Sequence, residues 1–126
     1  VGGNSGTQAS SLVIRSLALG EVTIKDFTEI LFKELRVSAL MGLVMGIGGY
    51  LFAWAVSGST SVAVVVAVTL TVVLIVSSTI GAVLPVIGRM FKLDPAVFSA
   101  PLITTVVDIT ALVVYFNVAI KLLKIV

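Results

Sequence analysis

One carboxylate stands where a sequence rarely places one. Asp108 lies inside an apolar run, about Ala96–Ile120, twelve residues from either end. As a helix, that run puts roughly 18 Å of chain on each side of it. A carboxylate at such depth in a bilayer costs about 2.5–3.5 kcal/mol on insertion scales, and it normally faces a wet cavity or a partner. No Lys or Arg in the apolar runs sits at the same depth to pair with it. Thr104 at i−4 and Thr105 at i−3 share its helical face, and Pro101 lies a turn further back. An acidic, hydroxyl-lined stripe suits the passage of a cation. The plainer alternative is a protonated Asp108 bonded to a neighbouring helix.

A second candidate is Gly3-Asn4-Ser5-Gly6-Thr7-Gln8. Its glycines open the backbone, and Asn4 and Gln8 offer amide oxygens one helical turn apart. No Gly-Lys-Ser/Thr follows and no strand precedes, so it is not a phosphate-binding loop. By itself it also reads as an ordinary loop or helix start. Ser77, Ser78 and Thr79 form a third polar patch, which could support the stripe or bond back to its own helix carbonyls. The chain has no His and no Cys. Disulfides, thiolate zinc sites and histidine catalysis are excluded, and with no paired carboxylates the chain is not read as an enzyme.

These residues need elements that live in lipid. Of 126 residues, 59% are hydrophobic and 11% charged, where soluble domains carry about 25% charged residues. Mean hydropathy is +1.25. The expected fold is an all-α polytopic helix bundle, with the end of one span followed by three full transmembrane helices. Residues 1–8 read as a Gly-rich polar stretch and residues 9–19 as a helix, which is too short and too polar at its start to span alone and which Gly20 should stop. Residues 23–36 read as an amphipathic helix, with Ile24, Phe27, Leu31 and Leu35 on one stripe and Thr23 with Asp26 as a capping pair. Such a helix would lie at the headgroups on the cytoplasmic side, or link to a soluble domain. Full spans are expected over 37–56, 62–87 and 96–120. The first carries a GxxxG, Gly42 to Gly46, suited to close helix packing. Gly81 and Pro85 should bend the end of the second, and Pro95 should open the third. The N-terminal Val1-Gly2-Gly3-Asn4, without Met or basic residues, reads as a cut inside a longer chain.

Loop charges set an orientation. Arg15, Lys25, Lys33, Arg36, Arg89 and Lys92 fall on one side, against Lys121 and Lys124 on the other. The positive-inside rule puts the first group in the cytoplasm and the C-terminus outside. The pI near 9.2 comes without a basic patch, so nucleic acid is not a partner.

The order GGNSGTQ, then VIRSLALGEV, then GAVLPVIGRMFKLDPAVFSAPLITTVVDITALVVYF closely resembles the membrane domain of the MgtE family of bacterial magnesium channels, over nearly the whole chain. The resemblance implies a homodimer in the cell (inner) membrane, with five spans per subunit and a pore on the dimer axis lined by the second and fifth spans. Residues 1–19 then correspond to the end of the second span, and the three full spans to the third, fourth and fifth. Asp108 falls on the family's pore carboxylate, which holds hydrated Mg2+. Asn4, Gln8, Pro101, Thr104 and Thr105 are the accompanying pore-lining positions. The family's orientation agrees with the loop charges. Ala100 stands where many members have Gly. The upstream spans, and the cytoplasmic regulatory domains that many members carry, lie outside this sequence. The expected function is a magnesium channel pore. The alternatives are a proton- or sodium-coupled divalent cation carrier and a structural membrane anchor.

Overall fold

The computed structural model describes residues 2–21, 23–94 and 100–123, all helix and short connections with no strand among them. Four α-helices follow one another: α1 Gly2–Ala18, α2 Phe27–Ser57, α3 Thr60–Met90 and α4 Ala100–Leu123, with a 3-10 turn at Ile24–Asp26 before α2. Three are long and apolar enough to cross a membrane: α2, α3, and α4 over Pro101–Leu122. The all-α bundle expected from composition is therefore the observed fold.

Helix ends are set by identifiable chemistry. Gly20 adopts φ +73 and closes α1, its N–H donating to Leu17 O and the Glu21 N–H donating to Ser16 O. This is a Schellman ending with glycine at the left-handed position. Lys92 takes the same role after α3 at φ 59, with Lys92 N–H donating to Arg89 O and Leu93 N–H to Gly88 O. Between α2 and α3, Gly58 turns left-handed and donates to Trp54 O, and Ser59 caps α3 by accepting from Val62 N–H. Asp26 Oδ2 accepts from the Thr23 N–H at 2.8 Å, joining the pair read as a cap.

The amphipathic segment 23–36 and the span 37–56 do not form separate helices here. From Phe27 they are one helix of 31 residues. Neither Gly nor Pro stands at the junction, so only the side-chain polarity changes there. Ser38, buried at the junction, donates to Glu34 O at 2.6 Å. At 1.5 Å per residue such a helix is about 46 Å long, more than a hydrocarbon core of about 30 Å requires. α3 likewise exceeds the expected 62–87 by a few residues at each end and continues through Pro85. The expected start of the third span at Pro95 and Ala96 lies outside the described residues; from Ala100 onward α4 is helical.

α3 is the hub, touching α1, α2 and α4, while α1 also touches α4. The α2–α3 pair is antiparallel and packs through the GxxxG. A methyl on Gly42 would lie 3.1 Å from Thr71 O, and one on Gly46 would collide with Thr71 Oγ1. Thr71 Oγ1 donates to Gly42 O across that seam at 3.0 Å. α1 runs parallel to α3: Ser5 meets Ser78, Gly6 meets Gly81, and Ala9, Val13 and Leu17 bury with Ala82 and Val86. Phe27 and Ile30 cover this cluster from the start of α2. These directions bring Arg15, Lys25, Lys33, Arg36, Arg89 and Lys92 to one end of the bundle, and Lys121 to the other.

Candidate ion-pathway site

α1 and α4 run antiparallel and meet at the polar residues of both. Gly3 stands against Asp108 and Thr104, Gly6 against Val107, and Thr7 against Thr104. The sequence forces this register through small residues: at Gly6 a methyl would lie 2.6 Å from Val107 Cγ2, and at Gly81 it would strike the Gly6 backbone. Three helices thereby approach around one level. Two hydroxyl pairs tie α1 into it. Thr7 Oγ1 and Thr104 Oγ1 are 3.2 Å apart, and Ser5 Oγ bonds to Ser78 Oγ.

Asp108 is exposed on α4, its Oδ1 2.9 Å from the position a Gly3 methyl would occupy. Among the described residues it takes part in no hydrogen bond or ion pair. The plainer alternative, a carboxyl bonded to a neighbouring helix, therefore has no such bond within this chain's described residues. Of the other sequence-derived positions, Thr104 is brought to the same level. Thr105 and Pro101 are exposed on α4, with the Thr105 hydroxyl donating to Pro101 O at 2.9 Å. Asn4 and Gln8 are exposed one turn apart on α1, on a different face from Gly3 and Thr7, which meet α4.

The serine–threonine patch of α3 divides three ways. Ser78 pairs with Ser5. Thr79 bonds back to Ile75 O at 2.7 Å. Ser77 is fully buried, and its hydroxyl has no partner among the described residues. Sequence reasoning missed Gly3, Ser5 and Thr7 as individual site residues. Their signal was present in the Gly-rich start, where small and hydroxyl residues recur at helical spacing, but the facing helix was not knowable from spacing alone.

No group of three or more His, Cys, Asp or Glu side chains comes together among the described residues. What this site can offer a cation is one carboxylate and hydroxyl or amide oxygens. That set suits an ion that keeps its water shell, since Mg2+ dehydrates reluctantly and is usually held through few carboxylates and several waters.

The profile of the MgtE family, described as divalent cation transporter, matches residues 1–118. The chain belongs to the MgtE family. It is 37% identical to the Bacillus subtilis protein named magnesium transporter MgtE, over 93% of this chain and 26% of that one. It is 35% identical to the protein of the same name from Thermus thermophilus, over 98% of this chain and 27% of that one. The chain thus spans about a quarter of the length of these relatives. With three helices long and apolar enough to cross a membrane among its described residues, this MgtE-family chain is a multi-pass membrane protein.

Proposed function

We propose that this chain forms part of the pore of a magnesium channel, in which Asp108 holds hydrated Mg2+ at the middle of the membrane. The observation that carries the reading is an exposed mid-span carboxylate without a partner among the described residues, in a chain whose relatives are named magnesium transporters. In a homodimer with α1 and α4 at the pore axis, two copies of Asp108 would face each other. Each carboxylate accepts hydrogen bonds from the ion's waters, so the shell need not be stripped. Coulomb attraction doubles with the charge of the ion, and a divalent cation also relieves the repulsion between the two carboxylates. The side-chain oxygens of Thr104, Thr105, Asn4 and Gln8 would supply neutral oxygens along the wall, with Pro101 one turn before Thr105 on the same stripe. Six basic residues at one end of the bundle support placing that end in the cytoplasm and the C-terminus outside the inner membrane. Membrane lipid, a second subunit, and the upstream spans and regulatory domains of the full-length protein are the partners this reading requires.

The test is Mg2+ flux into liposomes by the full-length protein, measured beside folded yield. Asp108→Asn keeps shape and hydrogen bonding but removes charge, so it should lose selective Mg2+ flux nearly as completely as Asp108→Ala. Asp108→Glu should retain some flux with poorer selectivity. All three should fold, because they remove or keep a charge without breaking a bond within the chain. Wild-type flux in Asp108→Asn would sink the carboxylate mechanism. Flux that requires a proton or sodium gradient would instead make the protein a coupled carrier.

A further inference from the structure

We infer that Gly3 is a positioning residue for the Asp108 carboxylate: its missing side chain sets where that carboxylate stands. The inference rests on the reading of Asp108 as the ion-facing group and adds a determinant on a different helix. Nine of the eleven glycines divide by what a methyl would meet. Gly20 and Gly58 have positive φ and serve turns. Gly42 and Gly46 would meet Thr71, Gly49 would meet Leu70, and Gly6 and Gly81 would meet Val107 and each other's helix. All of these keep packed helices close. Gly48 would meet nothing within 4 Å. Gly3 alone among these would meet an ionisable group. Its methyl would lie 2.9 Å from Asp108 Oδ1, 3.7 Å from Asp108 Cγ and 3.2 Å from Thr104 Cγ2.

The space between α1 and the carboxylate at this position therefore does not admit a side chain unless one of the two moves. Asp108 is exposed and bonded to nothing among the described residues, so the carboxylate can swing away from an added methyl at little cost to the fold. The swing would move the oxygens that a hydrated cation reads. Hydrogen bonds weaken steeply as their angles close, so the ion's water shell would be held off its preferred geometry. Thr104 is half-buried and its hydroxyl lies 3.2 Å from that of Thr7, whereas Asp108 is exposed with no such contact among the described residues, so Asp108 is the freer of the two neighbours to move. A side chain at position 3 would thus act on ion recognition before it acts on folding.

The experiment is Gly3→Ala in the full-length protein, read by folded yield, Mg2+ flux and the Mg2+ to Ca2+ permeability ratio in liposomes. Gly48→Ala is the control for adding a methyl to a glycine in the same protein. The expected result is wild-type yield, Mg2+ flux lowered about tenfold, the scale of one charge-assisted hydrogen bond, and a shifted permeability ratio. In an Asp108→Asn background Gly3→Ala should lower the residual flux no further. Wild-type flux and ratio in Gly3→Ala, with Asp108→Asn impaired, would overturn the inference while leaving the pore reading intact. Wild-type flux in Asp108→Asn would overturn both. Restoration of Gly3→Ala by Thr104→Ser, which removes only the methyl and keeps the hydroxyl, would assign the effect to Thr104 and overturn the inference. Should Gly3→Ala lower the yield, Gly3→Ala with Asp108→Ala decides: recovery supports the close approach, and no recovery makes Gly3 a packing residue.

Discussion

Asp108 and Thr104 lie one turn apart on α4, and α1 presents Gly3 and Thr7, also one turn apart, in the opposite direction. Matching i, i+4 pairs on antiparallel helices bring a hydroxyl to a hydroxyl and an empty position to a carboxylate. The Thr7–Thr104 contact at 3.2 Å should be worth about 0.6 kcal/mol, and at most about 1.7, as interhelical hydrogen bonds in membranes are. A double-mutant cycle of Thr7→Val and Thr104→Val, read as thermal stability in detergent, should give a coupling of that size. Strict additivity of the two variants would show that the hydroxyls do not interact. That Asp108 and Thr104 share one face of a helix was legible from sequence, because one charge in an apolar run marks a level and period 3.6 marks a face. Thr7 and Ser5 were not, because a partner across a helix pair depends on register, which spacing within one helix does not fix. Thr105 shows the converse. Spacing put it on the stripe, and it is exposed there, yet its proton goes to the Pro101 carbonyl one turn back, the nearest acceptor a helical threonine has.

At the scale of elements, two neighbouring glycines of one helix have opposite meanings. Gly46 is buried against α3, where a methyl would strike Thr71 Oγ1 and lie 3.2 Å from Ala67 O, whereas Gly48 faces open space. Gly46→Ala should therefore lower folded yield and melting temperature, since Ala67 O is backbone and cannot step aside. Gly48→Ala should raise stability, by up to about 1 kcal/mol, because alanine is the better helix former and nothing opposes it. Equal effects of the two substitutions would contradict the α2–α3 seam. The GxxxG of Gly42 and Gly46 announced that seam in the sequence, and Gly20 announced the end of α1. The join between the amphipathic segment and the first span was not announced. A change from charged to apolar side chains looks like a boundary, but the backbone responds to Gly, Pro and capping, and residues 27–57 contain no Pro and place their glycines in the apolar half.

At the scale of the whole molecule, helix directions and charge point the same way by separate routes. α1 and α3 are parallel and α2 is antiparallel to both, so the C-terminal ends of α1 and α3 meet the N-terminal end of α2. That geometry gathers Arg15, Lys25, Lys33, Arg36, Arg89 and Lys92 at one end, though they are scattered through the sequence. The turn between α2 and α3 lies at the other end and carries no charge from Ser57 to Ser61. The positive-inside rule predicts the basic end in the cytoplasm, the orientation proposed above. The sequence contains no Cys to confuse labelling. Ser59 is a poor place for a probe, because its hydroxyl caps α3. Ser61 is exposed in the first turn of α3 and serves better. Ser61→Cys should react with a membrane-impermeant thiol reagent added to intact cells, once any upstream cysteines are removed. Lys25→Cys, exposed at the basic end, should react only after permeabilisation. The reverse pattern would invert the bundle and place the C-terminus in the cytoplasm. Labelling of both sites in intact cells would mean that α2 does not cross, since only a crossing helix separates residue 25 from residue 61.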